Sequence, residues 1–228
     1  MIAEILDQHA DELAFLWRLR DAAALAPHHD RASLAALDER LDAHADGLRI
    51  AGARGLAVCV GALDEKEPGS VFATAVLAVE RADDAGMEAA LALADASPAA
   101  ARALASALSW APIEAAGPVL LRLLSPAASP ARRRAAIAAA AALREDPGEP
   151  LAWAVLDDDP GVRARALRAE RGPLPEADAP DEGTWREAPC TVVERVIELR
   201  RSPFARTNVD GLAEIASAAT EVRFEKGD

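Results

Sequence analysis

Apolar residues recur at helical spacing along most of the chain. Ile2, Ile5, Leu6, Leu13, Leu16 and Trp17 fall at i, i+3/i+4 positions, with His9 and Arg20 in the same register, and a second series runs Leu34, Leu37, Leu41, His44, Leu48. Pro27-His28-His29-Asp30 breaks the two series apart. The spacing predicts an N-terminal helical hairpin over residues 1–52, with Ser33 as N-cap of its second helix and glycines at 52 and 55 marking its end.

From there the pattern repeats. Pro68, Pro98, Pro130 and Pro160 stand 30, 32 and 30 residues apart, each preceded by Glu67, Ser97, Ser129 or Asp159. A Ser or Asp at the N-cap satisfies free backbone N–H groups, and proline at the first helical position lacks only a donor that would be unpaired anyway. Helices are therefore expected over 70–81, 99–110, 131–144 and 161–171, each preceded by a second apolar segment at 55–63, 87–94, 119–124 and 151–156. Paired helices at a period of about thirty residues predict an all-α fold, a solenoid of four helical hairpins over 53–172. Residues 173–228 then read as an acidic, proline-rich linker followed by a capping segment, with helices at 192–201 and 209–218 and a short strand at 221–225.

Two stretches carry a resemblance. Leu156-Asp157-Asp158-Asp159-Pro160-Gly161-Val162-Arg163-Ala164-Arg165-Ala166-Leu167 resembles the D-P-x-V-R-x-x-A signature of HEAT-like repeats of the phycobilisome-lyase type, which implies a right-handed α-solenoid. Arg133 matches the arginine three residues after the proline, while Val71 and Ala101 depart from it. The runs His9 to Trp17 and Leu37 to Gly52 resemble the opening of an uncharacterised family of bacterial HEAT-like proteins associated with type VI secretion gene clusters. That resemblance spans residues 9–170 and implies a bacterial secretion context.

Composition agrees with helix. Of 228 residues 51% are hydrophobic but only 4% aromatic, tyrosine is absent, and alanine makes up about a quarter of the chain. Alanine is the best helix former and lets helices approach closely, while the aromatic and β-branched residues that favour sheets are scarce. With 25 Lys+Arg against 38 Asp+Glu the net charge is −13, so the whole-chain field repels nucleic acid and anionic membranes and favours a basic partner. The N-terminus lacks the basic and apolar regions of a signal peptide and no apolar run reaches membrane-spanning length, which points to the cytoplasm. Cys59 and Cys190 have no CxxC or Cys/His spacing and read as buried free thiols.

Residues with chemistry to offer are few. His9 and His44 each occur as His-Ala-Asp on an apolar stripe and read as packing histidines, and His28-His29-Asp30 reads as a solvated turn. GxSxG, P-loop, HExxH and GxGxxG motifs are absent, as is the His-Glu dipeptide on which HEAT-like diiron hydroxylases rely. Arg133 and Arg163 are expected to bind the acidic run 157–159, leaving Arg134, Arg165 and Arg168 for a partner. Trp110 and Trp153 are expected in the core. Trp185, beside Arg186 in the acidic segment, either packs on the end of the array or offers an interface anchor.

The expected function is a non-enzymatic protein-binding scaffold without cofactor or metal. The resemblance places it as an adaptor, chaperone or immunity protein for an effector in a type VI secretion context, with a basic secreted effector or toxin as partner and Arg134, Arg165, Arg168, Trp185 and Arg186 at the contact. The alternative is a metal-dependent or lyase-type HEAT-repeat enzyme built around His9 and His44.

Overall fold

In a computed structural model the described residues are 2–26, 29–145 and 147–170. They belong to the first of two units into which the chain divides, Met1–Pro175. Among them stand ten α-helices and no strand, so this unit is all-α: α1 (Ile2–Ala23), α2 (Arg31–Ala51), α3 (Ala53–Ala62), α4 (Pro68–Glu80), α5 (Asp84–Ala96), α6 (Pro98–Trp110), α7 (Ile113–Leu123), α8 (Pro130–Leu143), α9 (Glu149–Ala154) and α10 (Pro160–Glu170). Every helix expected from the proline period up to residue 170 is present. The two helices and the strand expected beyond 173 lie outside the described residues.

The proline rule holds at the level of single hydrogen bonds. Ser97, Ser129 and Asp159 each accept from the backbone N–H three residues on, at Ala100, Arg132 and Val162. Glu67 makes no such cap and pairs instead with Arg18 on α1, at 3.0 Å. A carboxylate on the longer glutamate side chain is poorly placed to fold back onto its own helix, so it reaches across. Ser129 has a second role, bonding Asp95 on α5, which in turn pairs with Arg132. Ser129→Ala is expected to lower stability by about 1 kcal/mol, the usual worth of an N-cap. A melting temperature unchanged within a degree would show that the cap contributes nothing.

Packing follows the order of the chain. Helix α1 lies against α2 and α4, α4 against α6, α6 against α8 and α8 against α10, while α3, α5, α7 and α9 each pack on the proline-initiated helix that follows them. Helix α4 is the centre, and every residue from Gly69 to Val79 is buried. A helix apolar on all sides needs neighbours on all sides, and α4 has α1, α3, α5 and α6 around it. Phe72 fixes the middle of this layer, stacked on Trp17 at 5.8 Å and edge-on to Trp110 at 5.8 Å. The Trp110 indole N–H reaches Asp42 on α2, so this aromatic is packed at one edge and satisfied at the other.

Three expectations change. Asp30, not Ser33, caps α2: its carboxylate accepts from the Ser33 N–H at 2.8 Å, and the Ser33 hydroxyl donates to the Asp30 carbonyl. Helix α7 begins at Ile113, before Pro118, where the sequence suggested a start at 119. Pro118 is exposed, so the backbone carbonyl it leaves unpaired can be hydrated, and Ala116, Leu120 and Leu123 still share one buried face. Trp153, expected in the core, is 57% exposed. On the short α9 only Leu151 and Ala154 face inward, and 153 falls on the far side.

Candidate functional site

The site begins with three consecutive arginines. Successive helical residues point about 100° apart, so Arg132, Arg133 and Arg134 at the start of α8 leave the helix in three directions. Arg132 turns to α5, pairing with Asp95 at 2.9 Å and Glu88 at 3.1 Å. Arg133 turns inward and is buried, its Nε 2.7 Å from Asp157 and one Nη donating to the same carboxylate at 2.9 Å. Its other Nη donates to the carbonyls of Pro126 and Ala128, so one guanidinium ties the turn before α8 to the turn before α10. Arg163 supports the same turn by donating to the Asp157 and Asp158 carbonyls.

Arg134 takes the third direction, out onto the face shared by α6, α8 and α10. It is half-exposed and gives one Nη to Asp159 at 2.9 Å, so the N-cap of α10 is also an ion-pair partner. Gly161 makes room for it, since a Cβ there would stand 3.2 Å from Arg134 Cδ. Arg165 and Arg168, one turn apart on α10, are exposed and have no carboxylate in ion-pair range among the described residues. Burial first, and then the neighbouring charges of Arg168 and Arg134, lower the Arg165 pKa.

Two grooves meet at Arg165 and Ala138. One, of about 510 Å³, runs over α6 and α8 with a floor that includes Ala101, Ala105, Ala135 and Ala138, and with Arg102, Arg134 and Arg165 on its walls. The other, of about 860 Å³, lies between α8, α9 and α10 and is lined by Ile137, Ala141, Leu151, Arg144, Arg165 and Arg168. Charge along the chain is segregated accordingly. Residues 1–96 carry 18 Asp+Glu against 8 Lys+Arg, whereas 97–170 carry 8 against 9. The acid surplus of the whole chain thus lies outside residues 97–170.

Comparison with protein-family models, curated proteins and solved structures finds no match for this chain. What it does must be argued from its own residues. No helix among the described residues is long and apolar enough to cross a membrane.

A second constellation joins α1 to α2. His9 Nδ1 and His44 Nδ1 lie 3.2 Å apart with the rings edge-to-face, and Gly47 leaves space for the His9 ring, because a Cβ there would stand 2.8 Å from Nε2. The contact is a hydrogen bond only if one Nδ1 carries a proton and the other does not. Burial, followed by the charge of His9, lowers the His44 pKa from its ordinary 6.5; Arg40 acts in the same direction and Glu12 opposes it. The unfolded chain therefore binds this proton more readily than the folded one. Stability contributed here is complete above pH 6.5 and is lost as pH falls towards the lower folded pKa. His44→Gln is expected to flatten the melting temperature between about pH 7 and pH 5, and an unchanged slope would remove the pair from the pH response.

Of the residues picked out from the sequence, Arg134, Arg165 and Arg168 come together, and Trp185 and Arg186 lie outside the described residues. Cys59 is fully buried, which pushes its thiol up to about 12, so it reads as an inert packing residue; Cys190 lies outside. The groove itself went unread. Its signal is the row Ala101, Ala105 and Arg102 on α6 with Ala131, Ala138 and Arg134 on α8, small residues and cations at helical spacing on partly exposed faces.

Proposed function

We propose that this chain is a non-enzymatic protein-binding scaffold: a right-handed α-solenoid of HEAT-like hairpins that holds a partner on the exposed face of α6, α8 and α10. One observation carries the reading. Among the described residues Arg165 and Arg168 have no carboxylate in ion-pair range, Arg165 stands where two grooves join, and arginine beside an apolar floor is the composition of an interface hot spot. The sequence resemblance supplies the setting, an adaptor, chaperone or immunity protein in the cytoplasm of a bacterium with a type VI secretion system. The acidic surplus of residues 1–96 suits a basic body on that partner, because complementary fields speed encounter.

The test is purification of the full chain from its native host, wild type beside Arg165→Glu/Arg168→Glu. A stoichiometric partner encoded beside it is expected with the wild type and is expected to be lost with the variant. Equal retention, or recovery of the chain alone, would contradict the reading.

The His9/His44 pair favours a second reading. Two imidazole nitrogens 3.2 Å apart have the separation of neighbouring ligands on one tetrahedral ion. Among the described residues no third His, Cys, Asp or Glu joins them. Metal bound stoichiometrically by the wild type and lost from His9→Ala/His44→Ala would establish this alternative.

A further inference from the structure

We infer that the joined grooves over α6, α8 and α10 are a docking site for an acidic amphipathic segment of a protein partner, its carboxylates on Arg165 and Arg168 and its small apolar side chains on the alanine floor. The inference rests on the protein-binding reading and names the chemistry of the segment that enters.

Charge sets the sign. Arg102 already pairs with Asp21 and Arg134 with Asp159, so among the described residues the lining cations left for a ligand are Arg165 at the junction and Arg168 and Arg144 in the second groove, whose lining also carries Glu145. The bare cluster is self-repulsive: after burial, the charges of Arg168 and Arg134 disfavour the charged form of Arg165. A carboxylate placed between Arg165 and Arg168 would relieve that repulsion and would face two guanidinium forks suited to bidentate contact.

The floor sets the shape. Ala101, Ala105, Ala131, Ala138 and Ala142 leave a shallow trough in which a second backbone can approach closely, and it runs past Ala138 into the second groove beside Leu151. Together the two grooves extend across α6, α8, α9 and α10, a length suited to a peptide segment rather than a single ion. Acidic groups every three or four residues along one side of a helical ligand, with apolar residues on the other, match this arrangement. A nucleic acid strand fits it less well. The lining contains no aromatic ring on which a base could stack, and the acidic residues of 1–96 would repel a long polyanion.

Fluorescence anisotropy on the full-length protein tests this, with a labelled peptide of repeating Glu-Ala-Ala about fifteen residues long and its Lys-Ala-Ala counterpart. The acidic peptide is expected to bind saturably, less tightly as salt rises, and the basic peptide not to enter the groove. Arg165→Glu/Arg168→Glu is expected to weaken binding by on the order of tenfold or more, and Arg54→Glu/Arg81→Glu, on exposed residues elsewhere, to leave it unchanged. Ala138→Trp fills the junction without altering charge and is expected to weaken binding comparably, with circular dichroism verifying the fold. No saturable binding of the acidic peptide would overturn the inference, as would equal binding by both peptides or binding untouched by Ala138→Trp. Displacement by tripolyphosphate while Ala138→Trp still binds would reassign the arginines to a phosphate site. These outcomes do not depend on whether a partner is recovered from the host, so the inference and the broader functional reading can fail separately.

Discussion

Replacing Gly69 by alanine, a change that usually strengthens a helix, is expected to destabilise this protein by about 1–3 kcal/mol, the range of overpacking a close-packed contact. Gly69 is the second residue of α4, and a Cβ there would stand 2.2 Å from the carbonyl oxygen of Ala14 and 2.7 Å from its carbonyl carbon. The obstacle is backbone, so no rotamer change relieves it and α1 must move away from α4. That movement would loosen the Trp17 and Phe72 stack, which bridges the same pair of helices. Gly61 on α3 provides the contrast. A Cβ there meets nothing within 4 Å, so Gly61→Ala is expected to stabilise by up to about 1 kcal/mol. Urea melts of the two variants should move in opposite directions, and a stabilising Gly69→Ala would show that α1 and α4 are not in this contact.

The second large effect is expected at Arg133. This guanidinium and the Asp157 carboxylate are each only 11% exposed, so Arg133→Ala leaves a shielded acid without its partner and two turns without their tie. A loss of about 3 kcal/mol is expected, at the lower end for breaking a buried pair because both groups lie near the surface. Burial raises the Asp157 pKa, but the Asp159 N–H and Arg133 outweigh it and hold the carboxyl below its ordinary 3.8. The stability this provides is complete above pH 3.8 and is lost as pH falls through the lower folded value. Wild type and Arg133→Ala should therefore converge in strong acid. Curves that stay parallel down to pH 2 would mean that the pair's charge does not matter.

The fold was legible because local rules agree. Proline at the first helical position, a capping Ser or Asp before it and alanine after it all specify a helix start; Pro98 and Pro130 show all three, and Pro160 shows the first two. Legibility failed where an exposed face or a competing group decided the outcome. Trp153 looked like core because tryptophan usually is, yet α9 is too short to turn more than two residues inward. Ser33 looked like a cap, but Asp30 stands three residues earlier with a stronger acceptor. The site was half legible. Helical periodicity put Arg133 inside and Arg134, Arg165 and Arg168 outside, as the structure has them, but the groove depends on how α6, α8 and α10 lie against one another. Net charge is a poor guide to this face for a physical reason, since most of the surplus acid belongs to residues before 97 and the joined grooves are lined mostly by residues after it.

Site-specific photo-cross-linking in the native host bears most directly on whether the joined grooves hold a partner. Benzoylphenylalanine would replace Ala138, at the junction of the grooves, in one strain and the exposed Ala57 on α3 in another. The expected result is a discrete cross-linked species from position 138, none from position 57, and loss of the first on adding Arg165→Glu/Arg168→Glu. Cross-linking from position 57 alone, or from position 138 regardless of the arginines, would contradict the assignment of this face.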